Sequence, residues 1–174
     1  MSVRDVLKMG DPRLYQVSSP VADPKDFSIE NIVQDMYDTM YFLDGIGLAA
    51  PQIGIFERIV IFGVKENSRY PDAETVPDTV LINPTVEVIN PERVGAWEGC
   101  LSIPGMRGFV ERPTCIRYTG FDMAGNSIDR EVSGFHARVV QHECDHLDGI
   151  LYPLRIKDMK TFGFEDVISG QVEY

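Results

Sequence analysis

The chain has 174 residues, of which 44% are hydrophobic and 25% charged, and its net charge at pH 7 is −11. This composition is ordinary for a soluble globular protein, and the length is enough to bury a core without disulfides. The acidic balance argues against stable nucleic-acid binding, which needs clustered lysine and arginine. No apolar run approaches the ~20 residues that cross a bilayer, and three cysteines favour a reducing compartment. We expect one domain over residues 1–174, located in the cytoplasm and away from membranes.

The first part of the chain predicts a helix, a loop and a strand. Apolar side chains recur at helical spacing over residues 28–42, with Ser28 as the expected N-cap. Residues 45–54 (GIGLAAPQIG) are small and glycine-rich, which predicts an irregular loop where the backbone approaches another group closely. The apolar, β-branched run at 58–64 predicts a strand. The polar and acidic residues 65–79 predict an exposed loop.

The middle of the chain predicts further strands, which we place at 79–89, 115–121 and 127–132. The last two are joined by a predicted turn at residues 122–126. These strands precede the next helix without alternating with helices. The fold class is therefore predicted to be α+β, with mainly antiparallel sheets packed around a central metal-binding helix.

That central helix is predicted from about Gly134 to Asp148, with Gly149 at its C-terminal cap. Residues 153–174 are only weakly patterned and predict no particular element.

His142-Glu143-Cys144-Asp145-His146 is the most informative motif. Histidines four residues apart on a helix share one face, with Cβ atoms roughly 5–6 Å apart, so His142 and His146 can bind one metal ion. Glu143 would stand beside the metal's water as general acid and base. The thiolate of Cys100 would complete three ligands and leave one position open, which indicates an enzyme rather than a structural zinc site.

Each of these residues also has an ordinary structural interpretation. The motif occurs by chance, and acidic neighbours such as Asp145 are typical of a solvated helix face. Against that, Val140 and Leu147 place the histidine face near a buried seam. Cys100 alone is more often a small buried apolar residue. Gln52 is a candidate donor to a developing oxyanion, or else a residue that braces its own loop.

Three segments resemble the signature motifs of the peptide deformylases. They are residues 45–52 (GIGLAAPQ), 98–102 (EGCLS) and 141–146 (QHECDH), in the family's order and with compatible spacing. Residues 6–14 (VLKMGDPRL) also resemble the family's beginning. The resemblance implies removal of the formyl group from N-formylmethionine at the start of nascent chains, with release of formate.

The resemblance also implies the metal centre and its catalytic groups. Cys100, His142 and His146 would hold one divalent metal ion, with Fe²⁺ as the family's usual native ion and Zn²⁺, Ni²⁺ or Co²⁺ able to take its place. Glu143 would be the general acid and base, with attack on the formyl carbon by a metal-bound water. Gln52 would stabilise the oxyanion through its side-chain amide.

Further roles implied by the family concern the substrate. The backbone N–H of Leu101 would share the oxyanion, and Gly47 and Ile46 would contact the substrate. Arg107 would steady the peptide chain, although a surface arginine is an equal alternative.

Three other basic residues are given predictions of their own. Arg138 lies one turn before His142, where many relatives carry an aliphatic residue that lines the methionine pocket. We expect Arg138 to turn away and pair with an acidic group; the alternative is a place at the cleft rim that alters substrate preference. Glu98 and Arg112 are expected to form a partly buried ion pair behind the site. His136 is expected to be structural.

Two segments depart from the shortest relatives. The acidic residues 65–79 resemble an insertion. Residues 153–174 hold three basic and four acidic side chains, where short relatives carry a basic helix associated with ribosome docking. Any ribosome contact is therefore predicted to be transient rather than strongly electrostatic.

Two other classes of function compete with this interpretation. A His-Glu-x-x-His metallopeptidase normally takes its third ligand from downstream of the helix, but no His or Cys follows His146. A non-enzymatic metal-binding module would have a closed site and would need neither Glu143 nor Gln52. The partners that the resemblance implies are nascent N-formylmethionyl peptides.

Overall fold

The computed structural model describes residues 2–65 and 74–168. Its strands are β1 (Gly47–Ala49), β2 (Ile59–Val64), β3 (Val76–Cys100), β4 (Ile103–Phe121), β5 (Ser127–Ser133) and β6 (Phe162–Phe164). Its α-helices are α1 (Phe27–Phe42), α2 (Gly134–Leu147) and α3 (Glu165–Ile168). Short 3₁₀ helices lie at Pro12–Tyr15, Ala50–Ile53, Tyr152–Arg155 and Met159–Thr161.

The strands form one antiparallel sheet in the order β1-β2-β3-β4-β5, and β6 pairs with β4. Helix α2 contacts β1, β2, β4 and β5. The predicted α+β fold around a central helix is confirmed. Among the described residues, no helix has the length and apolar character needed to span a membrane.

Strand β2 is covered on both faces by helices. Val60 and Phe62 share a buried cluster with α2 residues, namely Ala137, Val139, Val140, Cys144 and Leu147. Ile59 and Ile61, on the other face, share a second cluster with α1 residues, namely Ile29, Val33, Met36 and Met40. Because alternate side chains of a strand point to opposite faces, a strand buried on both sides must be apolar throughout. This burial explains the continuous apolar run in the sequence and fixes α2 against the sheet.

A long hairpin made of β3 and β4 places Cys100, the cysteine predicted to bind a metal ion. The predicted strands at 79–89 and 115–121 are only the outer halves of these elements. The pairing register shifts near Pro84 and Pro91, and prolines and bulges interrupt the alternation that marks a strand in sequence. The hairpin ends where Cys100 pairs with Ile103 across a two-residue turn.

Two predictions for the first helix and the loop after it are wrong. The N-cap of α1 is Asp26, whose carboxylate accepts hydrogen bonds from the Ser28 N–H (2.8 Å) and hydroxyl (2.7 Å), so Ser28 already lies inside the helix. The segment 45–54 is not irregular, since it contains β1 and a 3₁₀ helix. Its small residues let β1 pair with β2 inside the core, and Leu48 is fully buried.

The loop predicted at 65–79 is shorter than expected at its far end. Residues 76–79 already belong to β3, and Val76 and Thr79 are buried there. Residues 66–73 lie outside the described part of the chain. Within 153–174, which carried no assignment, residues 162–164 form β6 and residues 165–168 form α3.

Three other local predictions are confirmed. The carboxylate of Asp122 organises the turn before β5 by accepting from Ala124 and Asn126 backbone N–H groups. Gly149 has a left-handed φ of 71° and its N–H donates to the His146 carbonyl, which ends α2 as a glycine cap does. His136 is structural, with its ring Nε2 3.3 Å from the Tyr118 hydroxyl.

A buried charge network joins the hairpin to α2, and it includes the predicted Glu98–Arg112 pair. Arg112 donates to both oxygens of Glu98 (2.6 and 2.9 Å) and to Asp145 (2.8 Å). Arg155 closes the network by donating to Asp145 from the other side at 2.7 Å. Glu98 and Arg112 are only 4% and 5% exposed. The network therefore holds β3, β4 and α2 in one arrangement.

Replacing Arg112 by Met should lower the free energy of unfolding by about 3–5 kcal/mol, because two buried carboxylates would lose a cation. Thermal and urea unfolding of the variant measure this loss. Arg117→Met is the matched control, since Arg117 forms an ion pair with Asp129 at the surface and both side chains are about half exposed. We expect little change in the free energy of unfolding of this control. A melting temperature near that of the parent for Arg112→Met would contradict the prediction.

Candidate active site

Three side chains that suit a metal ion converge where the hairpin meets α2. The ligand atoms of Cys100, His142 and His146 all lie within 4.8 Å of one another. Cys100 is the last residue of β3, and the histidines occupy successive turns of α2 with ring centroids 5.2 Å apart. The Cys100 sulfur is 3.3 Å from His146 Nε2. The sequence predicted this cluster, and the fold brings all three members together.

The first histidine is oriented from behind by a carboxylate. His142 Nδ1 lies 2.9 Å from Glu98 Oε2. Burial alone would raise the pKa of Glu98, but the Arg112 charge and hydrogen bonds from His142 and Arg112 hold that pKa well below its usual range. An ionised carboxylate only accepts, so Nδ1 carries the hydrogen and Nε2 is left for a metal. This carboxylate–histidine arrangement is the usual support of a metal-ligating imidazole.

The protonation behaviour of the two histidines differs. Burial lowers the pKa of His146 well below its ordinary value, which keeps its imidazole neutral. Burial would lower the pKa of His142 as well, but hydrogen bonds to Cys100 and Glu98 raise it well above its ordinary value. A cation bound at these ligands would displace that proton, since metal ligation requires neutral imidazole.

The side chain of Gln52 is aimed at the cluster. Its Oε1 accepts from the Ala49 N–H at 2.8 Å, so the amide nitrogen must face the other way. That nitrogen lies 3.4 Å from the Cys100 sulfur and donates to the Ser102 hydroxyl at 3.1 Å. Gln52 is 1% exposed. The bond from the Ala49 N–H therefore braces the loop that carries Gln52. The other end of the same amide presents a fixed N–H donor to the site.

The amino-terminal segment supports this arrangement from outside. The Leu7 N–H donates to the Gln52 carbonyl and the Met9 N–H to the Ser102 carbonyl, both at 2.8 Å. Sequence reasoning gave the segment only a family resemblance. These bonds fix the Gln52 turn relative to the Cys100 turn.

Glu143 is buried beside the ligands and packs on Gly47. Burial raises the pKa of Glu143 to about 7, which suits a group that exchanges a proton near neutral pH. A Cβ added to Gly47 would lie 2.3 Å from Glu143 Oε1 and 2.9 Å from its Cγ. Position 47 must therefore be glycine for this carboxylate to keep its place. This is the close backbone approach that the glycine-rich sequence predicted.

The site opens into a cleft. Predicted residues on its walls include Ile46, Gly47, Gln52, Leu101 and Arg138 together with the three-residue run 98–100. Three apolar wall residues were missed by sequence reasoning, namely Trp97, Phe135 and Val139. Phe135 and Val139 precede His142 by seven and three residues, and that helical spacing was a readable signal.

Arg107 lies elsewhere. It is 3% exposed and its guanidinium bonds to Glu165 of α3 at 2.8 Å, so the alternative of a surface arginine is wrong. Arg107 is not among the residues that line the cleft described above, and a substrate role for it stays a prediction. Asp145 was interpreted as a solvated neighbour, but it is 9% exposed and bound to two arginines.

The residues present fit a divalent transition-metal ion. One thiolate and two imidazoles are the donors that Zn²⁺ and Fe²⁺ accept, and three protein ligands are typical of catalytic sites. Within the described residues, Glu143 Oε2 is buried and has no hydrogen-bond partner. An unsatisfied carboxylate oxygen beside three donors is expected where a reacting group is to be held.

Comparisons with known sequences identify the family. The family model described as polypeptide deformylase matches residues 3–162. Peptide deformylase 2 of Ralstonia nicotianae is 55% identical over 170 residues, covering 98% of this chain and 96% of the relative. Peptide deformylase 1 of Nitrosomonas europaea is 58% identical over 166 residues, covering 95% and 94%.

Comparisons with solved structures identify the same family as the comparisons with sequences. The Met-Ala-Ser-bound class I type b peptide deformylase from Acinetobacter baumannii superposes with a TM-score of 0.85 at 37% identity, covering 90% of this chain and 100% of that one. Peptide deformylase from Thermotoga maritima gives a TM-score of 0.80 at 34% identity, covering 91% and 100%. The chain belongs to the polypeptide deformylase family.

Proposed function

We propose that this chain, as one catalytic domain, is a metal-dependent hydrolase that removes the formyl group from the N-terminal formylmethionine of newly synthesised polypeptides. Peptide deformylases remove N-formyl groups from nascent peptides, and membership in that family supports the reaction. The observation that carries the proposal is the convergence of the three donors with Glu143 and Gln52 at one cleft. We place the enzyme in the cytoplasm, with only transient ribosome contact.

Cys100, His142 and His146 would hold the metal, which we propose to be Fe²⁺ natively, with Zn²⁺, Ni²⁺ or Co²⁺ as substitutes. When bound, such an ion supplies Lewis acidity and lowers the pKa of a water in the site. The thiolate of Cys100 also makes a ferrous site sensitive to oxygen, because thiolate sulfur is readily oxidised.

Glu143 moves the proton. Its carboxylate takes a proton from the attacking water and returns it to the amine that leaves when the C–N bond of the formamide breaks. The products are formate and a free amino terminus. Burial among α2, β1 and the ligands supports this role, because a carboxylate shielded from solvent exchanges its proton with the reactants rather than with bulk water.

Gln52 and Leu101 stabilise the oxyanion. The bond between Gln52 Oε1 and the Ala49 N–H fixes the whole amide group. The amide nitrogen is therefore already in place, and it needs little reorganisation as negative charge develops on the formyl oxygen. The Leu101 backbone N–H follows Cys100 directly on the hairpin turn. Loss of one such donor costs about 3–4 kcal/mol of transition-state stabilisation.

Ile46 and Gly47 would align the substrate backbone beside Glu143, and the apolar walls would receive the methionine side chain. The Acinetobacter relative has a solved structure with Met-Ala-Ser bound, and that tripeptide is the product of removing the formyl group from formyl-Met-Ala-Ser. It supports N-formylmethionyl peptides as the substrates of this chain.

Anaerobically prepared protein should release formate from formyl-Met-Ala-Ser. Release should stop after chelation and return when a divalent ion is added. Glu143→Ala should reduce turnover by at least 100-fold because the proton carrier is gone, while metal content stays at one ion per chain. Coupled formate detection and metal analysis make the measurement.

Acetyl-Met-Ala-Ser and an internal peptide bond serve as control substrates. Neither should be cleaved, because the proposed reaction acts only on a formamide. Full metal occupancy without formate release, or faster cleavage of the internal bond, would refute the proposed reaction.

Gly47→Ala should lower kcat/KM by about 10- to 100-fold, because the added Cβ displaces Glu143 and small misplacements of catalytic groups cost about that much. Gly163→Ala is the control: among the residues that the structure describes, its Cβ would meet only Ile168 Cγ2 at 3.3 Å, and Gly163 is not among the residues that line the cleft. Steady-state kinetics with matched melting curves compare the two. Equal activities would show that Glu143 has room to move without consequence.

A further inference from the structure

Arg138 occupies two environments at once. Its side chain lies on the wall of the cleft together with Trp97, Phe135 and Val139. Its guanidinium is bound to acceptors on β3 and β4, and the side chain as a whole is 12% exposed. An arginine is an unexpected member of an otherwise apolar wall, and its contacts explain how the wall tolerates it.

The guanidinium is held by three acceptors on the hairpin. Nη1 donates to Glu98 Oε1 at 2.7 Å and to the Val110 carbonyl at 2.9 Å. Nη2 donates to the Val94 carbonyl at 2.6 Å. Because the charged end is fixed on β3 and β4, the methylene stem is the part that can face the cleft, as buried stems of arginine often do.

Arg138 completes the shell of donors around Glu98. Oε1 accepts from Arg112 Nε and from Arg138, and Oε2 accepts from Arg112 Nη2 and His142 Nδ1. Each carboxylate oxygen therefore has two partners. With two arginines on one side, the carboxylate is fixed in the direction that orients His142.

We propose that Arg138 is a positioning residue for His142, acting through Glu98, and that its stem forms one wall of the pocket for the substrate's first side chain. The proposal rests on the proposed function and extends it to the specificity of the site. Since Glu98 satisfies the charge of Arg138, the pocket favours an apolar side chain and not an acidic one. The sequence predicted that Arg138 pairs with an acidic group, with a position at the cleft rim as the alternative. In this proposal Arg138 does both.

Three variants separate the stem from the guanidinium. Arg138→Met keeps an unbranched apolar stem and removes the three hydrogen bonds. Arg138→Ala removes both parts. Arg138→Lys keeps stem and charge but cannot bond the three acceptors in the planar geometry of a guanidinium. Arg117→Met is the matched control, because Arg117 forms an ion pair with Asp129 outside the cleft.

The first readout is the rate at which Co²⁺ leaves the loaded protein in excess chelator, which needs no turnover. Arg138→Met should speed release by about 10-fold, because weakening the support of a ligating histidine lowers metal affinity by about 10- to 100-fold. Arg138→Lys should fall between Arg138→Met and the parent. Arg117→Met should match the parent.

The second readout is the preference for formyl-Met-Ala-Ser over formyl-Ala-Ala-Ser, measured as a ratio of kcat/KM values. Arg138→Met should lower kcat but keep this ratio within about threefold. Arg138→Ala should reduce the ratio by about 10-fold or more, because a lost wall costs discrimination between side chains of different length.

Parental metal release in Arg138→Met would overturn the positioning role, as would an equal acceleration in Arg117→Met. An unchanged substrate ratio in Arg138→Ala would overturn the wall. Should Arg138→Met fail to fold, Arg138→Lys decides, because parental release there contradicts the proposal. If the parent itself releases no formate, the proposed function fails, but the metal-release comparison still tests the positioning role.

Discussion

The buried carboxylate of Glu98 is the constraint on which the rest of the site depends. It sits between the long hairpin and α2, almost free of solvent, and an ionised group there is tolerated only if every lone pair is matched. Arg112 and Arg138 supply the matching charge, and His142 completes the set. The same bonds that make the charge tolerable hold the helix to the sheet and set the direction of His142, a candidate metal ligand. Stability and ligand geometry are therefore one property of this protein.

Helix α2 combines two tasks that usually compete. One face, with Val140 and Leu147, packs under β2 in the apolar core, while the neighbouring face carries the histidines and Glu143. The burial that secures the first face also surrounds the second, and it raises the pKa of Glu143. A helix at the surface could carry the same motif, but its carboxylate would be solvated and its histidines free to change rotamer.

Sequence alone predicted the two histidines as candidate ligands, because helical geometry places residues i and i+4 on one face whatever the surrounding fold. Cys100 and Gln52 were candidates by their chemistry, but only the family motifs placed them in one site, since no local rule links residues 48 positions apart. The length of the hairpin was missed because prolines and bulges hide alternation. The pairing of Arg138 with an acidic group was predicted, although its partner Glu98 was not named, and the burial of Asp145 was not foreseen. From sequence, a charged residue next to a motif is interpreted as solvated, because its partners are unknown. The partners of Asp145 are Arg112 on β4 and Arg155 after α2, and only the fold brings them together.

The site is assembled from distant parts of the chain. Gln52 and Cys100 are 48 residues apart, and Cys100 and His146 are 46 apart, so an unfolded chain keeps only the two neighbouring histidines near each other. An ion that needs the thiolate and both imidazoles then binds the native state far better than the denatured one. By linkage, each tenfold rise in the concentration of free ion above Kd would add about 1.4 kcal/mol to the free energy of unfolding. The supply of metal in the cell would thus govern how long each copy survives proteolysis, in addition to how many copies are active.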